Sequence, residues 1–316
     1  MLITVGGPLL LLLSGCSSID DLQRTHDVMA TLQEADRQFT IESTPDGALP
    51  DDTQAKKWIN DAIALMPHSD VPYVGTSDDP GIIDILGNRG RYPLLIDYLS
   101  KALKDPKLSG DYQLLLPLAD AQERMGPQAD ASKTYTAALA AINKSFTTAG
   151  STFTGDGGEF LDRARAEYYG GKRPQAIKDF NSIITTRPEL ADEAENNLAY
   201  FYALDKSDLP DAKKLAMKAV ADVRKSGSDD QIGEYIDTLA WVDHQSGDDK
   251  DALFYEQEAA SLMPLEPDVQ YHLGEICRAE GQNFQAHVAY SRAIKLDPFF
   301  PEARASLQSL PPVAES

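Results

Sequence analysis

The side chains best suited to chemistry are few and scattered. Five histidines (His26, His68, His244, His272 and His287) and one internal cysteine, Cys277, stand among 316 residues, and the histidines show no metal-ligand spacing. His272 and Cys277 are five apart, which turns them to different faces of one helix. The stretch YYGGKRP at 168–174 carries two glycines before a lysine. Ala166 stands where a phosphate-binding loop needs its first glycine, however, and no Ser or Thr follows Lys172. GDGGE at 155–159 lacks the carboxylate spacing of a calcium loop. No Gly-x-Ser-x-Gly elbow is present. Carboxylates are too abundant for any pair to be singled out. The sequence therefore predicts no catalytic residue, no metal site and no cofactor.

The elements that hold these residues are helices of one recurring design. SRAIKLDP closes at Pro298, EAASLMP at Pro264, SIITTRP at Pro188, SKALKDP at Pro106 and NDAIALMP at Pro67. Pro264 and Pro298 are 34 residues apart. Proline cannot continue a helix, so each run marks a helix end. The final unit places Leu273-Gly274, Cys277, Gly281, Ala286, Tyr290 and Ala293 before Pro298. The preceding one places Leu239-Ala240, Gly247, Ala252 and Ala259 before Pro264, and an earlier one Ala164, Gly171, Ala176, Phe180 and Ile183 before Pro188. Leu118-Ala119, Gly126, Ala131, Tyr135 and Ala138 form another copy, and Leu198-Ala199, Tyr202, Ala212 and Ala219 a less regular one, in which Asp208 and Pro210 are expected to open a helix. Small residues let paired helices approach, and glycine after the first helix supplies positive φ.

This period and pattern resemble the tetratricopeptide repeat over roughly residues 76–300. The resemblance implies an all-α, right-handed superhelix of about six helical hairpins. No strand-like alternation competes with it. The expected organisation is a tether and capping helices at 16–75, with one helix over roughly 20–40 striped by Leu22, Met29, Leu32 and Phe39. A first repeat block follows at 76–145, a loop or hinge at 146–158, a second block at 159–300, and a cap with a disordered tail at 301–316.

The N-terminal residues 1–15 are an apolar leader too short to span a bilayer. With LSGC at 13–16 they resemble a bacterial lipoprotein signal, in which Cys16 is lipidated; no Lys or Arg precedes the apolar run, which departs from that pattern. Ser17 rather than aspartate after the cysteine implies retention at the periplasmic face of the outer membrane. Lipidation of Cys16 leaves Cys277 without a disulfide partner.

Fifty acidic against twenty-nine basic residues give a net charge of −21, which repels phosphate backbones and argues against a nucleic-acid partner. In a repeat superhelix the first helices line the concave surface. Residues at helical spacing there are Arg165, Tyr168, Tyr169, Asn196, Tyr200, Asp237, Trp241, His244, Tyr271, Glu275 and Arg278, a set rich in the Tyr, Trp and Arg of binding hot spots. The face lacks the row of Lys and Arg with which some repeat proteins clamp a peptide carboxylate. Resemblance to lipoproteins of this kind implies a periplasmic scaffold or adaptor for protein partners in assembly of a secretion or pilus apparatus. The alternative is an adaptor regulating cell-wall hydrolases or exopolysaccharide synthesis and export.

Overall fold

Small residues at every fourth or seventh position of the helices decide how closely those helices pack, and the structure shows the result. It is a computed structural model that describes residues 19–42, 51–65, 81–126, 129–149 and 157–311. Among the described residues every regular element is helical. The chain forms two units, Met1–Ser43 with Pro50–Asn88, and Thr44–Leu49 with Arg89–Ser316.

In the first unit, α1 (Ile19–Glu42) and α2 (Thr53–Leu65) pack against each other, and α3 spans Ile82–Asn88. Val28, Leu32, Ala35 and Phe39 of α1 and Ala55, Ile59 and Ala62 of α2 are buried. These are single stripes at helical spacing. The sequence predicts a tether and capping helices over this region. Here α1 is the partner of α2, reached across 43–52.

The second unit begins with α4 (Tyr92–Ala102) and continues as five hairpins. These are α5 (Tyr112–Met125) with α6 (Ala129–Ala149), α7 (Gly158–Tyr169) with α8 (Arg173–Thr186), and α9 (Ala191–Leu204) with α10 (Leu209–Val223). Next come α11 (Asp229–Gln245) with α12 (Asp249–Leu262) and α13 (Pro267–Ala279) with α14 (Asn283–Leu296), before α15 (Pro301–Ser309) ends the stack. Second helices stop two residues before Pro188, Pro264 and Pro298. Gly171, Gly247 and Gly281 turn the chain between paired helices at φ +84°, +83° and +73°. Gly274 faces Tyr290 so closely that a Cβ there would lie 2.4 Å from the ring. Fully buried alanines recur along the second helices, at 138, 176, 212, 219, 252, 259, 286 and 293. The hairpin geometry, the 34-residue period and the filling of these positions make this unit a tetratricopeptide-type helical superhelix.

Three local expectations change. Residues 81–88 group with the first unit, whereas the expected first repeat block began at 76. Within the expected loop 146–158, α6 runs on to Ala149 and Phe146 stacks on Phe160 of α7 with ring centroids 4.9 Å apart, while 150–156 lie outside the described residues. Asp208 does precede α10, but its backbone is left-handed (φ +46°) and its side chain makes no capping hydrogen bond.

The second unit also joins its own ends. Arg124, at the end of α5, donates from both terminal nitrogens to the two oxygens of Asp268 on α13, each at 2.7 Å. Its Nε lies 3.0 Å from Asp297 Oδ2 just after α14, and its guanidinium sits 4.0 Å over the ring of Phe300. Asp297 is fully buried. Gly90 approaches so closely that a Cβ would come within 3.1 Å of the Asp297 carboxylate.

Candidate functional site

The first helices of the middle hairpins turn polar residues inward around a cavity of about 550 Å³. Their spacing explains it. Asp162, Arg165 and Tyr169 on α7, Glu193, Asn196 and Tyr200 on α9, and Glu234, Asp237 and Thr238 on α11 each recur at three or four residues and so share one helix face. Glu266, Asp268, Val269 and His272 complete the wall at and within α13. The cavity therefore gathers six carboxylates, at 162, 193, 234, 237, 266 and 268, around one lining arginine.

That arginine is already engaged, since Arg165 donates to both oxygens of Asp120 at 2.9–3.0 Å. The carboxylates feel their crowding. Burial, reinforced by Asp268, pushes Glu266 up to about 7. Burial, with Glu193 and Asp237 nearby, raises Glu234 as well. Burial is the larger cause in both, and the neighbouring carboxylates add to it against Arg124 and Arg165.

Of the concave-face residues expected from the sequence, Arg165, Tyr169, Asn196, Tyr200 and Asp237 line this cavity. The others lie elsewhere. Tyr168 is buried between hairpins, stacked on Phe201 with centroids 3.9 Å apart. Trp241 is 9% exposed and stacks on His272 at 4.1 Å. His244 meets Asp249 at 2.6 Å beside the α11–α12 turn. Tyr271 packs between Phe300 and Tyr290. Glu275 accepts from Tyr290 and Ser306 and pairs with Arg278, which consumes both. The reason is angular: one residue along a helix is a rotation of about 100°. On α13 the lining residues are 268, 269 and 272, one position off the expected 271 and 275.

Five of the six lining carboxylates, at 162, 193, 234, 266 and 268, and His272 are not among the residues expected from the sequence. His272 Nδ1 lies 2.8 Å from Asp237 Oδ1, a contact across 35 residues that no local spacing reveals. Burial alone would lower the His272 imidazole, but Asp237 outweighs it and holds the imidazole above its usual range. Behind this pair lies Glu256 of α12, fully buried. Its position is the one filled by Tyr135, Phe180, Ala216 and Tyr290 in the other second helices, four residues after a repeat alanine. That substitution was the available signal. Cys277 is buried and its thiol is pushed up by burial, the opposite of an activated nucleophile. Cys16 and the leader lie outside the described residues. Among the described residues no helix is long and apolar enough to cross a membrane.

No family model matches the sequence. No curated protein matches it either. Similar solved structures include BtubC from P. vanneervenii, at 15% identity and a TM-score of 0.41, covering 73% of this chain and 94% of that one. A thermophilic tetratricopeptide-repeat protein of Thermus thermophilus aligns at 17% identity and a TM-score of 0.46, covering 63% and 97%. A tetratricopeptide-repeat protein from Parabacteroides merdae aligns at 19% identity and a TM-score of 0.37, covering 65% and 73%.

Proposed function

We propose that the protein is an adaptor that holds a cationic segment of a protein partner in the acidic cavity of its helical superhelix. The observation that carries this reading is the excess of acid in the lining: six carboxylates, against Arg165, which is shared with Asp120, Arg124, which pairs with Asp268, and His272, which pairs with Asp237. A cavity of this size takes a few side chains, and a Lys- or Arg-rich segment relieves the repulsion among its walls. The apolar leader and LSGC at 13–16 support a lipid on Cys16 and a place at the periplasmic face of the outer membrane. A lipid anchor would raise the effective concentration of a partner at one leaflet. On this reading the partner belongs to a secretion or pilus apparatus under assembly.

The cavity reading is tested with short labelled peptides, one rich in lysine and arginine and one of matched length rich in glutamate, followed by fluorescence anisotropy. The basic peptide is expected to bind, more weakly as salt rises, and to lose at least about tenfold in affinity when Glu193 and Glu234 are both changed to Lys. Equal binding of both peptides, or indifference to the double change, would overturn it. For the partner, a photo-crosslinking residue belongs at Glu193, which is exposed on the cavity wall, rather than at the packed Trp241. Capture of a secretin or pilus component supports the assembly reading, and capture of a murein or glycan enzyme replaces it. Cys16→Ala is expected to move the protein from the membrane to the soluble fraction.

A further inference from the structure

Three metal-competent side chains meet where α11, α12 and α13 pack. One ligand atom each from Asp237, Glu256 and His272 lies within 4.8 Å of the other two, and all three residues are buried. Asp237 Oδ1 and His272 Nδ1 are 2.8 Å apart. Ligands bound at about 2.0–2.1 Å to one ion are about 2.9–3.4 Å from one another, depending on geometry, so a small side-chain adjustment completes such a sphere.

Glu256 is the telling member. It is 0% exposed, and its carboxylate accepts from no donor and faces the Asp237 carboxylate. A buried carboxylate without a donor is strongly unfavourable, and here it replaces a residue that is aromatic or alanine in the neighbouring hairpins. The packing around it does not ask for charge; something bound there would.

We infer that Asp237, Glu256 and His272 bind one divalent transition-metal ion. An imidazole with two carboxylates suits zinc, manganese or iron better than calcium or magnesium, which take oxygen ligands. Two carboxylates and a neutral imidazole also cancel the charge of a divalent ion. Trp241, stacked on the His272 ring at an interplanar angle of 19°, fixes the plane in which its nitrogens point. Asp237 and His272 line the cavity, which gives the ion a way in. The bound ion ties three consecutive helices of two hairpins together, so its role is to set the geometry of the cavity wall. This inference does not depend on what the cavity binds.

The alternative is a network without metal, in which Glu256 keeps a proton and shares it with Asp237, as burial and the neighbouring carboxylate favour. Zinc titrated into the chelator-treated, dialysed full chain separates the two. Calorimetry at physiological salt is expected to show one strong site per chain, and cobalt(II) in its place is expected to give visible absorption of low-symmetry coordination. Glu256→Gln and His272→Gln should each weaken zinc binding by at least about 100-fold. Both variants are checked by circular dichroism in chelator, and zinc should raise the thermal midpoint of the unaltered chain but of neither variant. Zinc binding that survives both substitutions would assign it to surface carboxylates and overturn the inference. So would the absence of a one-to-one site in the unaltered chain, which would leave the proton-sharing network as the state of the triad.

Discussion

Hairpins α11–α12 and α13–α14 use the same backbone plan to opposite ends. In α13–α14 the second helix carries Tyr290, whose hydroxyl donates to Glu275 Oε1 at 2.7 Å, fifteen residues upstream on the first helix. Ser306 adds a second bond to that oxygen at 2.6 Å, and Arg278 pairs with the other. Tyr135 and Asp120 repeat this arrangement in α5–α6 at 2.5 Å, again fifteen residues apart. In α11–α12 the two chemistries are exchanged: the aromatic ring, Trp241, is on the first helix and the carboxylate, Glu256, fifteen residues later on the second. The exchange leaves Trp241 Nε1 without an acceptor and both Glu256 oxygens without a donor. A phenol facing a carboxylate satisfies both groups and holds the hairpin shut. In α11–α12 the indole stacks on His272 instead, and the difference separates a packing device from a site.

The sharpest way to break the comparison is truncation. Tyr290→Ala empties a fully buried ring site against Gly274 and is expected to lower stability by about 3–5 kcal/mol in urea unfolding. The equivalent change in α12 should go the other way. Glu256→Leu, measured in chelator, is expected to raise stability by about 1–3 kcal/mol, because an apolar side chain of similar size replaces a buried acid. A loss instead would show that Glu256 is satisfied in solution.

The two sites should also answer pH with opposite signs. Burial raises Glu256 well above 4.5. An unfolded chain gives up this proton first, so its contribution is full below about pH 4.5 and is lost as pH rises toward the folded value. Burial also works against ionised Glu275, but its bonds from Ser306, Tyr290 and Arg278 outweigh that and lower it. Its contribution is therefore present above about pH 4.5 and lost as pH falls through the folded value. Unfolding of Glu256→Gln beside the unaltered chain in chelator, from pH 5 to 8, should show a stability gap that widens with pH, by at most about 1.4 kcal/mol per unit.

The smallest expected effect is the most local. Tyr290→Phe keeps the ring and removes one of the bonds to Glu275, for a loss of about 1–2 kcal/mol. It should also raise the Glu275 carboxyl, which titration followed by NMR can read.

The helical hairpins were legible because their signals are local. A proline two residues past α8, α12 and α14, a glycine in the turns at 171, 247 and 281 and an alanine every fourth or seventh position act within a few residues of where they stand. The cavity was half legible. Arg165, Asn196, Tyr200 and Asp237 follow from helical spacing, while Trp241, Tyr271, Glu275 and Arg278 required knowing the rotation of α11 and α13 about their axes, which stacking sets. The pairing of His272 with Asp237 belongs to that stacking too, and no spacing within one helix contains it. Glu256 is different: read down the column of Tyr135, Phe180, Ala216 and Tyr290, it stands out in the sequence itself.

The bond from Arg124 to Asp268 and Asp297 has a consequence for how the second unit comes apart. An open array of repeats is a one-dimensional system, stabilised only between neighbours, and it frays from its termini. Here α5 and the α13–α15 end hold each other, so releasing either one also breaks a contact made across 144 residues or more. Fraying should therefore be suppressed, with amide exchange in α5 and α14 as slow as in α9, and unfolding should proceed as one cooperative event rather than peeling.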